Sequence, residues 1–235
     1  MIIAITGKQG VGKTTLSDSL AAVGYRKVSF ATPMRDTFTH VFNSTTFDRE
    51  WMQAFGESCR QVKDDIWTDK ANEALEGYLP GNVVLDDVRY TNEMMNTVLP
   101  YITRLGGVVV RLDAPELTRF MRRYQNAGIS KNTATAVKKA YGSKAPPSYA
   151  GSHLMFAAGA AGVTDEELER VFKWTEFQAH VSETDLDNFD FTPYPKLNYM
   201  KLTSDVPQSK SDIFQTVMNR IEEVSQERNK LGRSV

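Results

Sequence analysis

The chain has a single cysteine, Cys59, in 235 residues. No internal disulfide can form, and the composition suits a reducing compartment. It has no run of about 18 consecutive apolar residues, the length a helix needs to cross a bilayer. It also has no basic segment leading into an apolar one at its start. Such a sequence is expected to be soluble and cytoplasmic, without a membrane partner. Neither sign of charge is in excess: Lys plus Arg number 28 and Asp plus Glu 29, a formal net charge of −1. With no basic surplus to neutralise a phosphodiester backbone, a polynucleotide partner is not expected. An Asn-Lys-x-Asp guanine motif is missing, which disfavours a GTPase switch. There is no internal repeat and no low-complexity segment.

What is present is concentrated near the N-terminus. Gly7-Lys8-Gln9-Gly10-Val11-Gly12-Lys13-Thr14 is a complete G-x-x-x-x-G-K-[ST] phosphate-binding loop, followed by Thr15. Ile2-Ile3-Ala4-Ile5 before it reads as a short buried strand, and Thr14 to Ala22 after it as a helix. Glycines let successive backbone N–H groups turn inward on phosphates, and the helix N-terminus behind them adds positive potential. Lys13 is placed to reach the β- and γ-phosphates. Thr14 offers a hydroxyl to Mg²⁺, a hard cation that takes most of its ligands from phosphate and water. The loop therefore predicts binding of a nucleoside triphosphate with Mg²⁺ but not the reaction, because switches, helicases, transporters and kinases all use it.

Strand-like runs recur at Ile2–Ile5, Lys27–Phe30, Val83–Leu85, Val108–Leu112 and around Lys196–Leu202, with helical patterns between them. This alternation predicts a three-layer α/β/α domain with a parallel five-stranded sheet, the P-loop NTPase class. Ligands of such sheets collect beyond the carboxyl ends of the strands. Ile213, Phe214, Val217, Met218, Ile221 and Val224 follow helical spacing and predict a closing helix. The segment from about Asn126 to Gly162, rich in Ala, Gly, Ser and Lys with Pro146-Pro147 inside, reads as an insertion over the core. Thr164 with Glu167 three residues on predicts a capped helix after it.

Candidate acceptor residues follow the second and third strands. Ala31-Thr32-Pro33-Met34-Arg35 reads as a helix opened by proline, with Arg35 in its first turn. Asp86 and Asp87 end an apolar strand, where a carboxylate holds metal or its water, and Arg89 follows within reach of a second anion. Gly56-Glu57-Ser58-Cys59-Arg60-Gln61 lies on a helix between these strands. The aromatics Trp51, Phe55, Trp67 and Tyr78 at helical spacing read as core before they read as a platform for a base.

In this order the blocks resemble the deoxynucleoside monophosphate kinases of tailed bacteriophages and, more distantly, animal-type phosphomevalonate kinase. The matching pieces are the loop, the Pro33-Met34-Arg35 turn, Gly56-Glu57-x-x-Arg60-Gln61, Asp87-x-Arg89-x-x-Asn92-Glu93, Gly106-Gly107, His180-x-Ser182-Glu183 and Asn198. The resemblance implies an adenylate-kinase-like fold. Its CORE would comprise residues 1–33, 81–118 and 181–235, its acceptor-binding segment 34–80, and its LID and helical insertion 119–180. It further implies ATP and Mg²⁺ as cofactors, Thr14 and Asp87 at the metal, and Arg35 and Arg89 on the acceptor phosphate. Arg60, Gln61 and Glu183 would contact the acceptor, Asn198 the nucleotide, and at least one of Arg119, Arg122 and Arg123 the transferring phosphoryl. The expected activity is phosphorylation of a deoxynucleoside monophosphate, and a homodimer is compatible with it. Two departures stand out: Thr14 occupies a position where some relatives carry Asp, and residues 126–175 have no counterpart in the short relatives.

Overall fold

The computed structural model describes residues 1–43, 49–115, 118, 119, 122, 184–194, 197–204 and 210–232. At its centre lies β1 (Ile2–Thr6), buried along its whole length as a strand covered on both faces must be. Around it are β2 (Arg26–Ser29), β3 (Val83–Val88), β4 (Gly107–Asp113) and β5 (Asn198–Thr203), in the order β2-β3-β1-β4-β5. Every pairing is parallel. The expected five-stranded parallel sheet is thus found, with β3 carried past its apolar run through Asp86 and Asp87. That extension is held by pairing of Ser29 with Asp86 and of Thr6 with Val88.

Alternation along the strands builds two cores. Ile2, Ala4, Val83, Leu85 and Val109 face one side. There they meet Ala71 and Leu75 of α4 (Ile66–Glu76). The same core takes Met94, Val98 and Ile102 from a run that begins as α5 (Thr91–Glu93), passes through a π turn (Met94–Val98) and continues as α6 (Leu99–Leu105). Ile3, Ile5, Val84, Val108 and Val110 face the other side. They are covered by Leu16 and Leu20 of α1 (Lys13–Ala22) and by Ile213, Val217, Ile221 and Val224 of α7 (Lys210–Gly232). The closing helix predicted from its spacing is α7. Each such side chain removed from water contributes about 1.5–3 kcal/mol.

Between β2 and β3 the chain forms α2 (Ala31–Phe42), α3 (Arg49–Val62) and α4. Phe38, Phe42, Phe55 and Trp67 pack ring against ring there, with centroids 4.6 to 6.1 Å apart. Trp67 is 2% exposed and donates its indole N–H to the Gly56 carbonyl at 3.2 Å, so this ring is core. Trp51 and Tyr78 are exposed.

The chain runs from β1 out to β2, returns to β3 beside β1, and then crosses to β4 on the far side. The strand order therefore reverses at β1, and the crevice beyond Thr6, Val88 and Asp113 is where this architecture receives ligands. Gly107 brings β4 up to β1: a Cβ added there would stand 1.9 Å from the Ile2 carbonyl oxygen. Gly107→Ala is expected to cost about 3 kcal/mol, the upper end of overpacking penalties. Urea unfolding of the two proteins measures it, and equal midpoints would refute the close approach.

Candidate nucleotide and acceptor site

The phosphate loop connects β1 to α1 over residues 7–12, and two of its glycines are required by space as well as by backbone. Gly7 has φ +133° and Gly10 φ +83°, both in the left-handed half that L-residues rarely adopt. A Cβ on Gly7 would lie 2.1 Å from the Leu112 carbonyl oxygen, and one on Gly10 would lie 2.7 Å from that of Arg119. Lys13, the first residue of α1, is buried, with its ammonium donating to the carbonyls of Gly7 (2.5 Å) and Lys8 (3.0 Å). It also lies 3.1 Å from Asp87 Oδ1. Thr14 is exposed in the first turn of α1, and Thr15 is half-buried beside it.

Asp87 organises the end of β3. Its backbone is left-handed, φ +68°, and its Oδ2 accepts from Arg89 Nε at 2.7 Å. Burial alone would push this carboxyl up, but the adjacent Arg89 and Lys13 charges outweigh it and hold the group well below the usual carboxylate range. Asp86 points elsewhere, to Lys27 at 3.4 Å and to Ser17, and burial pushes its carboxyl up. The two adjacent carboxylates are thus separated, with Asp87 alone turned to the loop.

The next residues tie this strand end to the helices between β2 and β3. Glu93, 2% exposed, accepts through Oε2 from the backbone N–H groups of Arg89 (2.7 Å) and Tyr90 (3.1 Å). Its other oxygen lies 3.7 Å from Arg60, whose guanidinium covers the Tyr90 ring at 3.9 Å. Asn92 donates to the Asp64 carbonyl at 3.0 Å, where α3 ends. Gly56 is buried against Met34, whose sulfur would stand 2.5 Å from an added Cβ. The Pro-Met-Arg, Gly-Glu-x-x-Arg and Asp-x-Arg-x-x-Asn-Glu blocks, widely separated in sequence, meet here.

A family profile described as an AAA domain matches residues 3–138, more than half of the chain. The chain belongs to that family. No curated protein matches it. Among solved structures it is similar to a gluconokinase from Sinorhizobium meliloti 1021, at 13% identity over 97% of this chain and 95% of that one, with a TM-score of 0.48. It is also similar to a shikimate kinase from Acinetobacter baumannii, solved with shikimate, at 12% identity over 94% and 93% of the two chains, with a TM-score of 0.41.

In this AAA-domain protein the back of the phosphate loop is held by residues from beyond β4. Arg119, 6% exposed, reaches the Gln9 carbonyl at 3.5 Å. Arg122 donates to the carbonyls of Gly10 and Val11, each at 3.3 Å. Lys8 pairs with Asp187 at 2.6 Å, and Arg111 approaches the same carboxylate at 3.3 Å. Asp185 accepts from the backbone N–H of Thr91, so residues 184–194 dock on both the loop and the start of α5.

Other expected site residues stand apart. Arg35 is exposed, and because α2 opens at Ala31 rather than at Pro33 it lies one turn into the helix and not in its first turn. Gln61 is exposed as well: a helix turns about 100° per residue, so the face that carries Gly56 and Arg60 inward leaves Gln61 outside. Asn198 requires a correction. It opens β5 rather than following it, aligned with Val108, and its side-chain oxygen accepts from Arg220 of α7 at 2.8 Å. Parallel strands put residues 198 and 203 at opposite ends of the sheet, roughly 17 Å apart at about 3.3 Å per residue, and the loop lies at the Thr203 end. Glu183, with His180, Ser182, Arg123 and the 126–175 insertion, lies outside the described residues.

The donor set fits Mg²⁺: an ionised Asp87 carboxylate and an exposed Thr14 hydroxyl flank the loop. Among the described residues no group of three or more His, Cys, Asp or Glu side chains is built for a metal. That suits an ion drawing most of its ligands from phosphate and water. Glu93 carries a testable signature. Burial raises its carboxyl to about 7, against the opposing pull of the Arg89 and Tyr90 N–H groups and of Arg60. Because the folded state holds this proton more tightly than the unfolded chain, its contribution is complete below the unfolded pKa and is lost as pH rises through about 7. The stability of wild type relative to Glu93→Gln should therefore fall between about pH 5 and about pH 8 in urea unfolding. A constant difference would show that Glu93 stays ionised.

Proposed function

We propose that this chain is a kinase that transfers the γ-phosphoryl of ATP, with Mg²⁺, to the phosphate of a deoxynucleoside monophosphate. The observation that carries the reading is the gathering of Lys13, Arg89 and Arg60 at the carboxyl end of β3. Lys13 and Arg89 share the Asp87 carboxylate, and Arg60 shares Glu93 with the Arg89 backbone. Phosphoryl transfer between two phosphates asks a protein for alignment and charge neutralisation, with no dedicated base, because the acceptor dianion is already a nucleophile. A cluster of cations whose positions are fixed by the half-buried Asp87 and the buried Glu93 meets that demand.

In this mechanism the N–H groups of residues 8–13 cradle the donor phosphates and Lys13 exchanges Asp87 for a phosphate oxygen. Thr14 and Asp87 would hold Mg²⁺, which neutralises charge on the donor phosphates. Arg89 holds the acceptor phosphate in line, with Arg35 brought to it from α2. Arg60, fixed by Glu93 and Tyr90, lines the acceptor side, and residues 34–80 form the acceptor segment. The deoxynucleotide assignment rests on the order of the motif blocks, which is that of the phage enzymes. Closure of the 119–180 region over the site would exclude water from the donor.

A coupled ADP-release assay with ATP and Mg²⁺ tests the reading against each deoxynucleoside monophosphate, the ribonucleotides and phosphomevalonate. Turnover is expected on one or more deoxynucleoside monophosphates. Lys13→Ala and Arg89→Ala should each lower it by about 100-fold or more, the scale of losing one charge-stabilising donor. Turnover on phosphomevalonate alone would replace the acceptor assignment, and ATP binding without any turnover would end the kinase reading.

A further inference from the structure

Arg122 and Ser204 meet at the Gly10 and Val11 carbonyls of the phosphate loop, while Lys13's ammonium binds those of Gly7 and Lys8. Ser204 follows β5, and its backbone N–H donates to the Asp113 carbonyl at 2.7 Å, which fixes it at the carboxyl end of β4. Its hydroxyl, in a residue 4% exposed, donates to the Val11 carbonyl at 2.8 Å. Arg122 completes the ring. Its Nη1 reaches the Ser204 hydroxyl oxygen (2.8 Å) and the Gly10 and Val11 carbonyls (both 3.3 Å), and its Nη2 takes the Ser204 carbonyl at 2.9 Å. One guanidinium thus spends two of its nitrogens on the loop's carbonyls and on the serine that holds the same loop.

A peptide unit is planar, so fixing its carbonyl on one side fixes the following N–H on the other. The carbonyls of Gly10 and Val11 belong to the peptide units whose N–H groups are those of Val11 and Gly12. These sit at the turn from loop into α1, where a phosphate is received. Donors on those carbonyls also polarise the same amides and strengthen the N–H groups as donors.

We infer that Arg122 and Ser204 form a clamp that sets the phosphate loop for nucleotide binding, which makes both positioning residues. Arg122 then acts through the loop backbone and does not touch the transferring phosphoryl. This rests on the nucleotide-binding reading above and reassigns one arginine within it. Ser204 is given a role by no sequence motif, and its hydroxyl would serve the loop whatever the acceptor.

The test is titration calorimetry of ATP with Mg²⁺ into wild type, Ser204→Ala, Ser204→Thr and Arg122→Lys, each checked for folding by its thermal transition, with kcat and KM for ATP measured alongside. Ser204→Ala is expected to weaken ATP binding about fivefold to tenfold, the scale of one hydrogen bond. Its KM for ATP should rise in parallel while kcat moves by less than about twofold. Ser204→Thr keeps the hydroxyl and should recover most of the affinity. Arg122→Lys loses the forked geometry and should behave like Ser204→Ala, with the double variant no worse than about the weaker single, as residues acting as one unit do. A kcat loss of about 100-fold in Arg122→Lys with Ser204→Ala unaffected would overturn the clamp and put Arg122 on the phosphoryl. Equal affinities throughout would overturn it while leaving the nucleotide reading intact, and wild type that binds no ATP would remove both.

Discussion

The contact between Lys13 and Asp87 is the constraint on which the rest of the site depends. It joins the first residue of α1 to the end of β3, beside the apolar packing and the contact of Ser17 with Asp86 that these elements also share, and so fixes the phosphate loop relative to the end of β3. Its geometry is demanding because Asp87 sits at φ +68°, a conformation that costs a non-glycine residue about 1–3 kcal/mol and persists where its surroundings over-determine it. Arg89 and Lys13 supply that determination. The Asp87 carboxylate is half-buried and answers both cations, so either alone would hold it less securely than the pair. When a phosphate draws Lys13 away, Arg89 still answers Asp87, and the strand end keeps its form.

From there the stretch through Glu93 acts as a joint rather than as a set of separate ligands. Asn92 reaches the end of α3, Asn96 on the π turn donates to Asp65 at 2.6 Å, and Glu93 closes the backbone between Asp87 and α5. The helical segment between β2 and β3 is therefore latched where α3 passes into α4, while the aromatic packing of Phe38, Phe55 and Trp67 keeps its helices together. Motion of this segment would carry α2 and α3 as a packed unit.

The parts of this arrangement that were legible in the sequence are those written in local terms. The phosphate loop is contiguous, β1, β3 and β4 announce themselves by apolar runs rich in Val and Ile, and α7 by its helical spacing. Tertiary features were not legible. Asn198 belongs to a matching motif, yet only the direction of β5 shows that it points away from the loop. Gln61 neighbours Arg60 in sequence and is turned outward by the helix. Arg119 and Arg122 share a spacing that says nothing of whether they face a phosphate or the backbone that would hold it. The Glu93 carboxyl reads as surface charge until its burial is known, and Ser204 carries no signal at all, because its partners come from 82 and 193 residues away.

The outermost strands of the described sheet, β2 and β5, lead to a different consequence. An edge strand offers N–H and C=O groups to any passing strand, and proteins suppress such pairing with charge along the rim. β2 bears Arg26 and Lys27 there, and β5 bears Lys201 beside an exposed Thr203. A second chain approaching either rim would have to desolvate those cations before gaining its first hydrogen bond. Growth of the sheet from one molecule to the next is thereby discouraged, and the fold resists the edge-to-edge aggregation to which its topology would otherwise expose it.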